Sequence, residues 1–180
     1  YITGKGRCNV TNAADPEGLI ANTPGNPYFL YSAFYTFTSD STMEFFESLG
    51  VPVKIERGNR VFPKSEKSND IVRAMEKFVK TSGGKIMYDT DVKDVITDGD
   101  KITGVKLGNN KVMECDSLIV ATGGLSYPMT GSTGDGYCFA KKCGHTITQC
   151  YPSLVPLKVS EKWVSELMGL SLKNISIKVE

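Results

Sequence analysis

The chain has 180 residues, 40% of them hydrophobic and 23% charged, with 21 Lys and Arg against 20 Asp and Glu for a formal net charge of +1. That length suits one domain, or one domain and part of another, able to bury roughly 70% of its unfolded surface. The balanced charge argues against a nucleic-acid partner or an acidic membrane surface, no apolar run approaches the ~20 residues of a membrane span, and no signal peptide is visible.

Residues 1–12 read as a strand end running into a loop rich in glycine and asparagine. Asp15 to Pro27 is broken by Pro16, Pro24, Gly25 and Pro27. Tyr28 to Thr36 is aromatic and helix-like. Ser39 or Asp40 is placed to cap a helix through Leu49, in which Met43, Phe46 and Leu49 fall at helical spacing and Gly50 is the stop. Val53 to Glu56 and Arg60 to Phe62 read as strands around Arg57-Gly58-Asn59. Ser68 caps the clearest helix, whose apolar stripe is Ile71, Val72, Met75, Phe78 and Val79 and whose stop is Gly83-Gly84. Four strands follow, Lys85 to Tyr88, Val92 to Thr97, Ile102 to Leu107 and Lys111 to Cys115, the last three joined by Asp98-Gly99 and Gly108-Asn109-Asn110. The apolar run Leu118 to Ala121 reads as a further, buried strand. It ends in Thr122-Gly123-Gly124, and a second glycine-rich turn, Gly131 to Gly136, opens onto a helix from Tyr137 to Lys142.

The order is that of an α/β domain carrying a small antiparallel meander. Pro152 and Pro156 read as a linker, and Leu157 to Glu180 as the start of another domain, which divides the chain at 1–150 and 151–180. The chain opens at Tyr1 without Met and closes on the alternating Ile175 to Glu180. Both ends read as cuts in a longer protein.

Strand, glycine turn, glycine loop and helix suit a phosphate-bearing cofactor, because small residues let backbone N–H groups reach an anion. No Lys follows the last glycine, so the loop is not a Walker loop, and a plain strand-to-helix connection stays open. Asp135 either orients a ribityl or ribose hydroxyl or caps the helix. In Gly4-Lys5-Gly6-Arg7-Cys8-Asn9, Arg7 is able to hold a phosphate bidentately, or the loop is simply solvated. Cys8 has no resolving cysteine nearby for redox work. His145, the only His, serves as a general acid or base or meets the last carbonyls of its helix. Cys138 and Cys143 read as core thiols. Five cysteines without a C-x-x-C pair offer no metal spacing and read as free thiols in a reducing cytoplasm.

Three blocks in order, GRCNVTN at 6–12, ERGNRVFPKSEKSNDIV at 56–72 and ATGGLSYPMTGSTGDGY at 121–137, resemble the bacterial YhiN/BaiN-type NAD(P)/FAD-dependent oxidoreductases, to which an aminoacetone oxidase is related. VPL at 155–157 and GLSLKNI at 169–175 add two more, so the resemblance covers nearly the whole chain. It implies an FAD fold of the two-dinucleotide-binding-domains type, with a central parallel sheet and a β-rich domain inserted after VPL. It implies that Gly6, Arg7, Cys8 and Asn9 lie along the flavin and ribityl side. By the same resemblance Val92 offers backbone groups to the adenine, Ala121, Thr122 and Gly123 lie close to the cofactor, and Thr133, Gly134 and Asp135 lie near the flavin. The family's glycine fingerprint would precede Tyr1, so this piece by itself is expected to bind FAD weakly or not at all. The expected activity is hydride transfer between flavin and NAD(P)H or a small organic substrate. No catalytic acid or base is singled out. The alternative is a non-catalytic binding module with a degenerate flavin fold, and self-association through exposed sheet edges is a further expectation.

Overall fold

A computed structural model describes residues 3–152, 158–170, 172, 175, 176 and 178. It divides into two compact units, 1–90 and 91–180. Helices and antiparallel sheets are mixed, the α/β class.

The first unit holds β1 (Thr11–Asn12), α1 (Pro16–Ala21), α2 (Tyr31–Thr36), α3 (Ser39–Ser48), β2 (Val53–Glu56), β3 (Arg60–Pro63) and α4 (Ser68–Thr81). Its sheet has the order β1-β3-β2, all antiparallel, with Lys54 opposite Phe62 and Glu56 opposite Arg60. Side chains alternate across a strand. Val53 and Val61 therefore face one way, into a core with Phe46, Val51, Ile71 and Ala74. Phe62, Lys54 and Glu56 face the other way, and Phe62 is nonetheless fully buried. The reason is the Thr3–Asn9 loop, which lies across its ring. A Cβ on Gly4 would stand 2.3 Å from Phe62 Cε1.

Capping differs from expectation at both long helices. Thr38, not Ser39 or Asp40, caps α3, its Oγ1 accepting from the Ser41 N–H at 3.1 Å. Ser39 is buried, and its hydroxyl donates to the Ala14 carbonyl instead. Lys67, in an extended conformation, precedes α4, and Ser68 is already helical. Of the expected α4 stripe, Ile71 is buried, whereas Val72, Met75 and Phe78 stay more than a third exposed. Ala74 completes the buried face. Phe78 meets the Phe45 ring edge-on at 5.1 Å. Three helices end as the sequence implies: the N–H groups of Gly50 and Val51, Gly83 and Gly84, and Gly144 and His145 close back onto the last turns of α3, α4 and α5 (Asp135–Lys142).

The second unit holds β4 (Val92–Asp98), β5 (Lys101–Leu107), β6 (Val112–Glu114) and α5. The three strands form the expected meander, in the order β4-β5-β6. Two expected strands are not strands. Lys85 to Tyr88 and Leu118 to Ala121 pair with no strand, and Ile119 is 90% exposed. An apolar run of that kind becomes a strand only where neighbours accept and donate its backbone hydrogen bonds. Among the described residues no N–H from Leu118 to Gly124 donates to a protein acceptor, and no parallel strand pair occurs. Cys138 and Cys143 are exposed on and beside α5, not core thiols, because its buried face is carried by Phe139. The five cysteines are free. A short 3₁₀ turn spans Lys162–Leu167. The VPL block lies outside the described residues, as do residues 177, 179 and 180 of the expected closing strand from Ile175 to Glu180. Among the described residues no helix is long and apolar enough to cross a membrane.

Replacing Phe62 with Ala would remove the ring that both β3 and the Thr3–Asn9 loop pack against. A loss of about 3–5 kcal/mol is expected, checked by equilibrium urea denaturation.

Candidate functional site

Two groups of residues carry chemistry, one in each unit. In the first unit, Arg7 is gripped from three sides. Its Nε donates to the Gly4 carbonyl at 3.0 Å, and its guanidinium carbon stands 3.9 Å above the centre of the Phe62 ring. Its Nη1 donates to Glu56 Oε1 at 3.0 Å and to Glu66 Oε2 at 2.9 Å. Lys54 Nζ lies 3.0 Å from Glu56 Oε1 and also pairs with Glu66. The result is a closed ring of alternating charge, Arg7–Glu56–Lys54–Glu66. Lys54 and Glu56 reach it together because residues two apart on β2 share a face. Both carboxylates are held below their ordinary value of 4.5, first by hydrogen bonding to Lys54 and then to Arg7. Arg7 is raised, chiefly by its hydrogen bond to Glu66 and then that to Glu56.

A phosphate brought to this Arg7 would meet two carboxylates already on it. The geometry therefore favours an anchor over the expected bidentate phosphate clamp. What the anchor holds is an unusual loop. Gly6 has a φ of 86° and Cys8 a φ of 68°. For a residue with a side chain, that left-handed conformation costs about 1–2 kcal/mol. Cys8 packs against the core, and its N–H donates to the Thr3 carbonyl at 3.1 Å. The Asn9 N–H donates to Thr3 Oγ1, and its side-chain amide nitrogen, in the orientation its neighbours require, donates to the carbonyls of Val61 and Thr11.

In the second unit, an open cleft of about 560 Å³ lies beside α5. Val95 of β4, Ile102 of β5, Leu118, Val120 and Phe139 give it apolar walls, and Ala121, Thr122, Gly123 and Gly124 form a backbone rim. Tyr137, Cys143 and His145 also line it, which residue spacing alone did not reveal for the first two. The His145 backbone N–H donates to the Ala140 carbonyl at the end of α5, and the residue borders the cleft. Tyr137 has its phenol pKa raised above the ordinary 10.0, first by a hydrogen bond with Cys150. Gly136 lets α5 lie against this rim, since a Cβ there would stand 2.6 Å from Thr122 Oγ1 and 3.2 Å from Val120 Cγ1. Lys142 ties the other end of α5 to the sheet by pairing with Asp94.

Asp135 is not the cap of α5. Gly134 takes that position with a φ of 86°, and Asp135 is the first helical residue, its Oδ2 accepting from Thr133 Oγ1 at 2.8 Å. A carboxylate at a helix N-terminus already satisfies the positive end of the helix, so it repels phosphate and suits a hydroxyl donor. Val92 opens β4, paired with Leu107. The cleft fits the flat part of a dinucleotide, with apolar walls and a small-residue rim whose N–H groups, among the described residues, have no protein acceptor, and Asp135 at the start of α5 is a separate acceptor suited to a hydroxyl. It does not fit a pyrophosphate.

These features define a class, an α/β domain built for a nucleotide-type cofactor. The chain belongs to the HI0933-like protein Rossmann domain family, whose model matches residues 1–179. That domain is of the FAD-binding type found in flavoprotein oxidoreductases. The chain is similar to a 3-dehydro-bile acid delta(4,6)-reductase of Clostridium scindens, with 30% identity over 93% of this chain and 40% of the relative. It is also similar to ribosomal RNA dihydrouridine synthases of Haemophilus influenzae, 30% identical over 95% of this chain and 43% of that protein, and of Escherichia coli, 28% over 94% and 41%. The chain thus spans about two fifths of the length of these curated relatives.

The depressed carboxylates of the charge ring set a pH dependence. Their stabilisation is fully present above the ordinary value of 4.5 and is lost as pH falls through their lowered values. The urea midpoint should therefore fall between pH 5 and about pH 3, and fall less in the Glu56→Gln/Glu66→Gln variant. Equal pH slopes in the two proteins would exclude the ring as the source. In the second unit, Gly136→Val should destabilise by about 1–3 kcal/mol and speed amide exchange at residues 120–124, read by hydrogen–deuterium exchange.

Proposed function

We propose that the full-length protein containing this chain is an FAD-dependent oxidoreductase that passes a hydride between flavin and NAD(P)H or a small organic substrate. The observation that carries this is the match to the FAD-type Rossmann family along residues 1–179, together with a cleft whose rim is backbone and whose walls are apolar. Bound FAD would supply the hydride chemistry. The chain's own residues bind and orient. Gly6, Arg7, Cys8 and Asn9 are taken as one set of cofactor contacts, and Val92, Ala121, Thr122, Gly123, Thr133, Gly134 and Asp135 as another. Asp135 accepts a hydroxyl hydrogen bond. Val95, Val120 and Phe139 exclude water from the cleft, and Tyr137 holds a proton at Oη beside it.

The names of the relatives, a reductase and two dihydrouridine synthases, favour the reductive direction, with hydride and proton added across a carbon–carbon double bond. The balanced charge favours a small molecule over RNA, and five cysteines without a C-x-x-C pair favour a reducing cytoplasm. Among the described residues, edge strands β4 and β6 of the second sheet each have one side unpaired, which supports self-association.

Full-length protein should purify yellow, or turn so with FAD, showing visible flavin absorbance that bleaches anaerobically with NADH or NADPH. A colourless protein that takes up no FAD would establish the non-catalytic binding module instead. Reoxidation of the reduced protein by an enone but not by ribosomal RNA fragments supports the small-molecule reading, and the converse selects RNA.

A further inference from the structure

We infer that Glu56 and Glu66 are positioning residues that set the conformation of the Arg7–Cys8–Asn9 loop and, through it, the affinity for flavin without touching flavin themselves. The flavin half of this inference rests on the proposed function above.

The loop from Thr3 to Asn9 has little regular hydrogen bonding to keep it in place. Gly4, Lys5, Gly6 and Cys8 have left-handed φ values, and two of these residues carry side chains. Its internal backbone hydrogen bonds are Arg7 N–H to the Gly4 carbonyl, long at 3.4 Å, and Cys8 N–H to the Thr3 carbonyl at 3.1 Å. Such a run unwinds unless something outside it over-determines it. Arg7 supplies that restraint. Stacking on Phe62 fixes its height above β3, and the two acids fix its direction.

The acids arrive from different elements. Glu56 ends β2, and Glu66 stands in the turn after β3 with a φ of 60°. Two carboxylates sharing one guanidinium nitrogen would repel each other, and Lys54 between them removes that repulsion. With Glu66 neutralised, one side of the ring opens. With both neutralised, Arg7 loses both ion pairs, and the Gly4 carbonyl, the face of Phe62 and uncharged amide oxygens are what is left to hold it. Cys8 and Asn9, the next residues along, then keep only the packing of Cys8 on the core, its N–H bond to Thr3 and the hydrogen bonds of Asn9 to Thr3, Val61 and Thr11 to hold the left-handed turn.

The test uses the full-length protein as wild type, Glu66→Gln and Glu56→Gln/Glu66→Gln. One readout needs no flavin: the rate of N-ethylmaleimide alkylation at Cys8, followed by peptide mass spectrometry, with Cys115 of the second unit as internal reference. The other is the Kd for FAD from quenching of flavin fluorescence. The double variant should alkylate Cys8 roughly tenfold faster with Cys115 unchanged, and weaken FAD roughly tenfold; Glu66→Gln should do both in part. Wild-type rates at Cys8 in both variants would overturn the inference, as would faster alkylation with an unchanged Kd. If the double variant does not fold, Glu66→Gln decides, since that side chain is 40% exposed and neutralising it leaves the core intact. If wild type takes up no FAD, the flavin reading fails, and the Cys8 rates still decide whether the acids hold the loop.

Discussion

The first unit depends on the burial of one strand from both sides. In β3, Val61 points into the core beneath α3 and α4 while Phe62 points the opposite way, and each is fully buried. A three-stranded sheet normally leaves one face to water. Here the second face is covered by a glycine-rich loop whose close approach is allowed only because Gly4 has no Cβ, and whose Arg7 lies flat on the ring. The polar ring of Lys54, Glu56, Glu66 and Arg7 follows from that arrangement. Burying Phe62 brings the guanidinium down onto the sheet face, and Lys54 and Glu56 are already there because Lys54 stands opposite Phe62 and Glu56, two residues on, shares its face.

The second unit solves a similar problem with different residues. A helix packed against an irregular backbone needs small side chains at the contact, and Gly134 and Gly136 meet Leu125, Thr122 and Val120 at distances where any Cβ would intrude. The same closeness that seats α5 leaves a cleft beside it. Its character is set by what borders it: hydrocarbon from two strands and a helix, backbone along residues 121–124, and the uncharged polar side chains of Tyr137 and Cys143 with His145. Such a lining discriminates by shape and hydroxyl contact rather than by charge.

That distinction bears on chemistry. The cations and glycines first suggest a phosphate cradle, yet Arg7 is neutralised by acids and the N-terminus of α5 by Asp135. Arg7 and Asp135 are therefore an anchor and a hydroxyl acceptor rather than parts of a phosphate clamp. A flavin protein divides labour in this way, the cofactor carrying the redox step and the polypeptide fixing position and excluding water.

The sequence by itself determined the helix stops, the β2–β3 hairpin, the meander of β4 to β6, and the family, because glycine stops, turn dipeptides and motif blocks are local signals. It also marked residues 6–9 and 121–136 as chemically interesting. It misread Leu118 to Ala121 as a strand, since a strand is a relation between segments and an apolar run only qualifies for it. It misplaced the cap of α3, because Ser39 is taken up by Ala14, 25 residues earlier in the chain, and not by its own helix. Only the tertiary structure decided that Arg7 is an anchor. Its partners Glu56 and Glu66 stand 49 and 59 residues further on, and no pattern within a local window pairs charges across such a distance.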